Sequence, residues 1–281
     1  MADKKKKYIF LKVIAAATVV FIALAAFSFP LKTVYYTVSS DEVAEPVRIA
    51  HVSDLHSCYY GKEMSTLLGA ISDARPDLLV MTGDMYDDVV KNDNTRIFMK
   101  AVGVEYESFY IAGNHENWLG SRGEYRIEME GYGITVLEGD NVSFGEITIC
   151  GAANASDGSF GFSDSVDKCA EAAGDGFNLL LAHYPENIDY YLSKNKFDLI
   201  LAGHAHGGQW RIPGVLNGLY APGQGLFPEY AGGRYDFDSS VMIVSRGLSR
   251  VKDIIPRIFN NPELVVIDVV PSEENNNEAA R

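Results

Sequence analysis

Gly203-His204-Ala205-His206-Gly207-Gly208-Gln209-Trp210 places two of the chain's six histidines two residues apart, among glycines. The run before it, Phe197-Asp198-Leu199-Ile200-Leu201-Ala202, reads as a short buried strand. The glycines allow a tight turn and a close approach of backbone to whatever the imidazoles hold. Imidazole is a ligand for zinc, manganese and iron, so the pattern points to a metal site at a strand end. His-x-His alone is weak evidence, and the other strand ends decide its meaning.

Those ends carry the same residue types. A strand-like run over 47–53 is followed by Asp54-Leu55-His56, and one over 77–82 by Gly83-Asp84. A third, over 107–112, leads into Gly113-Asn114-His115-Glu116, and a fourth, over 177–182, into His183. Five of the six histidines occupy these positions. Helical patterns over 62–74 and 91–104 join the first three runs, as in βαβ units, whose sites form beyond the carboxyl ends of the strands. Residues 121–130, 164–173 and 187–194 suggest further helices. Strand patterns over 134–137 and 147–150 suggest a second, partly antiparallel sheet, and 240–245 and 263–270 read as late strands.

With 281 residues, 47% of them hydrophobic, the chain is long enough for one substantial core. Lys4-Lys5-Lys6-Lys7 precedes an apolar run that holds no charge from Val13 to Leu31. This predicts a transmembrane signal anchor over 1–31, with the catalytic domain outside the cytoplasm and the membrane as a partner. Cleavage after the small-x-small Ala23-Leu24-Ala25 is the alternative and would make the protein secreted. Residues 32–46 read as a tether, 47–270 as the catalytic domain and 271–281 as a disordered tail. The first 30 residues carry a net charge of +4, so the remainder carries -18 of the total of -14. Such a domain offers no general attraction to nucleic acid, and none is expected as a partner. Phosphate esters remain open as substrates if bound metals supply local positive charge. Cys58, Cys150 and Cys169 have no Cys-x-x-Cys spacing, which leaves both a Cys150–Cys169 bridge and three thiols open.

The motifs taken in order resemble the calcineurin-like metallophosphoesterase family over about 47–270. His204-Ala205-His206-Gly207-Gly208-Gln209 and Tyr220-Ala221-Pro222-Gly223-Gln224-Gly225-Leu226-Phe227 are similar to its bacterial, membrane-associated branch. The resemblance implies an α/β fold (α+β by some schemes): a two-layer β-sandwich of mixed sheets flanked by helices. It also implies two divalent ions, Mn²⁺, Zn²⁺ or Fe²⁺. Asp54, His56 and His206 would bind the first with a bridging Asp84, and Asn114, His183 and His204 would complete the second. His115 would lie near the departing oxygen rather than bind metal, with Glu116 orienting it. Many relatives carry Asp at the Glu116 position. The implied activity is hydrolysis of phosphate esters, with a metal-bound hydroxide attacking phosphorus in line.

Several residues fall outside that set. His51, inside the first strand, reads as a buried hydrogen-bonded group, and Asp87 and Asp88 as a solvated turn, with orientation of the site open to one of them. Asn154 and Cys58 receive no role. Trp118 and Leu119, with Trp210, Ile212, Leu219, Tyr220, Leu226 and Phe227, suggest an apolar rim suited to an envelope, lipid-linked or sugar-linked phosphoester. A broad phosphomonoesterase, or a non-catalytic envelope-binding protein that keeps the fold, is the alternative. The oligomeric state is not legible.

Overall fold

A computed structural model describes residues 2–119, 122–153, 161–212, 214–250 and 255–272. In chain order the strands are β1 (Lys32–Ser40), β2 (Val47–Val52), β3 (Leu78–Thr82), β4 (Glu107–Ile111), β5 (Thr135–Val136), β6 (Asn141–Phe144) and β7 (Ile147–Gly151). They continue as β8 (Phe177–Leu181), β9 (Leu199–Ala202), β10 (Tyr220–Ala221), β11 (Gly225–Leu226), β12 (Gly233–Asp236), β13 (Val241–Val244) and β14 (Glu263–Pro271). The helices are α1 (Ala2–Ala26), α2 (Ser65–Ala74), α3 (Asp93–Glu105), α4 (Asn114–Trp118), α5 (Arg122–Gly131), α6 (Phe162–Ala172) and α7 (Ile188–Leu192).

Two six-stranded sheets form the sandwich, in the orders β1-β14-β2-β3-β4-β5 and β12-β13-β9-β8-β7-β6. Strands β2 to β5 run parallel in the first, and β7, β8, β9 and β13 in the second; β14 and β2, β12 and β13, and β6 and β7 pair antiparallel. The fold is thus α/β with mixed sheets. Central strands are apolar along their whole length because both faces are covered. Leu78 and Val80 of β3 meet Phe177, Leu179 and Leu181 of β8 between the sheets. Leu79 and Met81 point the other way, onto Leu67 and Ile71 of α2 and Phe98 and Val102 of α3. On the far face of the second sheet, Leu180 and Ile200 pack with Val166 of α6 and Ile188 and Tyr191 of α7. This packing fixes the register of the parallel strands, so their carboxyl ends line up along one edge.

Residues 32–40 are not a loose tether. They form β1, which runs parallel to β14 from Lys32 beside Glu263 to Ser40 beside Pro271. Val34, Tyr35, Tyr36, Thr37 and Val38 have the β-branched and aromatic character of a strand, but the partner lies at the other end of the chain. Cys150 of β7 and Cys169 of α6 form a disulfide, with Cα atoms 5.6 Å apart. Cys58 accepts a hydrogen bond from the Arg250 amide. Asn154 and most of the expected tail lie outside the described residues.

Among the described residues no helix is long and apolar enough to cross a membrane. This corrects the expected transmembrane signal anchor, the membrane as partner, and the placement of the protein in a cell membrane with its catalytic domain extracytoplasmic. Within α1 the apolar sequence is preceded by Lys7 and interrupted by Lys12.

Candidate metal centre

Each motif residue sits where a parallel strand runs out. Asp54 and His56 follow β2, Asp84 follows β3, Asn114 and His115 open α4 after β4, His183 follows β8, and His204 and His206 follow β9. The loops are held against one another by backbone bonds, Asp54 N–H to Gly83 O and His56 N–H to Asp84 O, both 3.0 Å. Gly83 has φ of +89°, and a Cβ there would collide with the backbone of Gly113. Glycine is what lets the β3 and β4 loops touch. Asp54, His56, Asp84, His204 and His206 themselves lie in the left-handed region, with φ from 45° to 64°. An L-residue there costs about 1–2 kcal/mol, and such strain gathers at functional sites because the surroundings hold it in place.

The side chains fall into two groups that share Asp84. Asp54, His56, Asp84 and His206 offer ligand atoms within 4.8 Å of one another, and so do Asp84, His183 and His204. Asn114 joins the second group through Oδ1, 3.1 Å from His183 Nε2. His183 Nε2 also lies 3.1 Å from His204 Nδ1 and 3.3 Å from Asp84 Oδ2. In the first group, Asp84 Oδ2 is 3.7 Å from His56 Nε2, and Asp54 Oδ1 is 3.8 Å from His206 Nε2. The metal-ligand candidates named from sequence therefore stand together, and each of them is buried.

Surrounding groups fix which atoms face inward. His183 donates from Nδ1 to the Thr82 carbonyl at 2.7 Å, which turns Nε2 towards Asp84 and Asn114. Asp84 Oδ1 accepts the His115 N–H at 2.9 Å, so Oδ2 is turned to the imidazoles. Asp54 accepts the His204 N–H at 3.0 Å. Buried His51 bonds Thr82 Oγ1 at 2.8 Å, behind the carbonyl that orients His183. Asp87 is not part of a solvated turn: it is buried, accepts the Val89 and Val90 amides, and lies 3.1 Å from His56 Nδ1. Asp88 Oδ1 lies 2.6 Å from His115 Nδ1.

Glu116 has a different setting from the one expected. It is buried and accepts the backbone N–H groups of Asp84, Met85, Tyr86 and Gly113 at 2.7–2.9 Å. The group beside the His115 ring is Asp88. Glu116 occupies the third position of α4 and reaches back to its cap, as in a capping box. That spacing is visible in the sequence; its grip on the 84–86 loop is not. Glu186, also unflagged by sequence, places Oε1 3.9 Å from His204 Nε2.

A cation fits this arrangement. In the second group, Asn114 Oδ1, Asp84 Oδ2, His183 Nε2 and His204 Nδ1 converge as atoms able to ligate a cation once His183 gives up its proton, and His56 Nε2 in the first is buried with no hydrogen-bond partner. Burial opposes a charge on His56, His183, His204 and His206. It lowers His204 to about 3, assisted by the charge on His183, and pushes His206 down as well. Burial would also lower His183, but the Asp84 carboxylate outweighs it and pushes His183 up to about 10. Burial would raise Asp84, and the charges of His183 and His56 hold it far below the usual carboxylate range. In the metal-free protein a proton on His183 thus takes the place of a cation. Mixed imidazole, carboxylate and amide donors suit Mn²⁺, Fe²⁺ or Zn²⁺.

Above the centre lies an open cavity of about 630 Å³. Of the expected apolar rim, Trp118 and Tyr220 line it, and Tyr184 and Glu186 line it too. Leu226 and Phe227 are exposed but stand outside its lining, and Ile212 borders a separate cavity.

A dinuclear divalent-metal site at the open end of an α/β sandwich defines a metal-dependent phosphoesterase. Residues 47–208, more than half of the chain, match the family model described as calcineurin-like phosphoesterase, and the chain belongs to that family. It is similar to the uncharacterized metallophosphoesterase YkuE of Bacillus subtilis, with 27% identity over 251 residues, covering 84% of each chain. An uncharacterized metallophosphoesterase of Aquifex aeolicus is 26% identical over 254 residues, 85% of this chain and 92% of the relative. Phosphodiesterase YaeI of Escherichia coli is 25% identical over 238 residues, 81% of this chain and 83% of the relative.

Proposed function

We propose that the protein hydrolyses phosphodiesters whose two arms extend into the cavity over the dinuclear centre. The observation that carries this reading is a metal centre opening into a cavity whose described lining holds no lysine or arginine. A phosphomonoester brings two negative charges and a diester one, so a cavity without cationic side chains suits the diester. The similarity to a relative named a phosphodiesterase supports the same choice.

Asp54, His56, Asp84 and His206 would hold the first ion, and Asp84, Asn114, His183 and His204 the second. When bound, two divalent ions supply Lewis acidity towards the phosphoryl oxygens and lower the pKa of water. The remaining tasks fall to the chain. Asp88 grips His115 through Nδ1, so Nε2 is the atom that gives a proton to the departing oxygen. Glu116 fixes the backbone on which Asp84 stands. Trp118 and Tyr220 provide an apolar wall for one arm.

Hydrolysis of bis(p-nitrophenyl) phosphate and p-nitrophenyl phosphate by chelator-treated, Mn²⁺-reconstituted protein tests this. The diester should be favoured in kcat/KM by about tenfold or more. A preference for the monoester would refute the diester reading, and no turnover of either would refute hydrolysis.

A further inference from the structure

We propose that Glu186 is a specificity-determining residue that, with the aromatic wall of the cavity, selects phosphodiesters with an ammonium group on one alcohol arm. The inference rests on the phosphodiesterase reading and adds the chemistry of the arm.

Glu186 stands in the 3₁₀ turn Pro185–Asn187, directly after the β8 loop that carries His183. Its Oε2 is buried and has no hydrogen-bond partner. Its Oε1 is 3.9 Å from His204 Nε2, too long for a hydrogen bond. The carboxylate therefore lines the cavity without being committed to the metal centre. Gly223, at φ +72°, lies against it, and a Cβ there would collide with Oε1. The loop after β10 closes over the carboxylate only because residue 223 is glycine.

A largely buried carboxylate is costly unless a cation compensates its charge, and part of the Glu186 side chain stays exposed. No described lysine or arginine lines this cavity to supply one. Trp118 and Tyr220 line it and are 57% and 38% exposed, so ring surface is available. An anion and aromatic faces lining one cavity are the elements that bind an alkylated ammonium, through charge and cation–π attraction together.

The test compares p-nitrophenyl phosphocholine with p-nitrophenyl 3,3-dimethylbutyl phosphate, which replaces the charged nitrogen by carbon. Wild-type Mn²⁺-loaded protein should favour the cationic substrate in kcat/KM by about tenfold or more, chiefly through KM. Glu186→Gln should reduce that ratio to within about threefold of unity. A positioning role through His204 would slow both substrates alike and leave the ratio intact, which would overturn the proposal, as would equal use of both by the wild type. Calorimetric titration of the full chain with choline and with 3,3-dimethylbutan-1-ol gives a readout without turnover. Choline should bind about tenfold tighter or better, and Glu186→Gln should abolish the difference. Choline binding through Glu186 without diester hydrolysis would sink the phosphodiesterase reading alone; diester hydrolysis with no choline selectivity would sink this one alone. Glycerophosphocholine and dihexanoyl phosphatidylcholine, offered in parallel, distinguish a soluble from a lipid source of the cation.

Discussion

Asp88 Oδ1 and His115 Nδ1 lie 2.6 Å apart, and the contact joins the loop after β3 to the first turn of α4. The His115 ring also stands edge-on to His56, with centroids 4.4 Å apart, and 4.6 Å from the Trp118 ring. The imidazole is thereby held between the metal centre and the cavity. Asp88→Asn should lower kcat about 10–100-fold, the usual cost of losing a group that orients a functional side chain. Metal content should stay at the wild-type level, because Asp88 touches no ligand. His115→Ala should lower kcat at least as far, and the double variant should lose little more. Steady-state kinetics with elemental analysis checks this; additive losses would separate the two residues.

Glu116 gives the opposite expectation. Its carboxylate accepts four backbone N–H groups in the loops that carry Asp84 and Asn114. Glu116→Gln puts an NH₂ group against these donors. The cost should be about 2–3 kcal/mol, given charge-assisted bonds lost and donors left unpaired. The melting temperature should fall by about 5–10 °C, and Mn²⁺ affinity should fall with it. A variant with wild-type stability and lost turnover would instead place Glu116 in the chemistry.

The buried pair His183 and Asp84 makes the metal-free protein pH-sensitive. His183 is raised from 6.5 to about 10 on folding, so its contribution is fully present below about pH 6.5 and lost as pH climbs towards 10. Asp84 is lowered from 3.8, so its contribution is present above that value and lost as pH falls through the lowered one. The melting temperature of chelator-treated protein should therefore decline steadily from about pH 6.5 to about pH 9. With Mn²⁺ bound the decline should vanish, because the cation replaces the proton. A flat profile for the metal-free protein would contradict the pairing.

Much of the centre was legible because its ligands follow apolar runs at fixed short offsets. Asp54 and His56 after β2, or His204 and His206 after β9, are local patterns that strand geometry turns towards one edge. What local reading missed depends on distant partners. β1 was unrecognised because its ladder runs to β14, more than 200 residues away. Asp87 and Asp88 look like a polar turn until His56 and His115 arrive from other loops. Glu116 beside His115 suggested a catalytic pair, whereas α4 turns its side chain to the backbone of Asp84. The apolar N-terminus suggested a membrane anchor, yet no helix among the described residues can cross a bilayer.

The account centres on Asp84 as the residue that joins two groups of ligands into one dinuclear site. Metal content per chain, measured by elemental mass spectrometry after Mn²⁺ reconstitution and desalting, tests that most directly. Wild-type protein should retain about two ions, His204→Ala about one, and Asp84→Ala close to none, with diester hydrolysis lost in step. One ion in the wild type, or full metal content and turnover in Asp84→Ala, would contradict it.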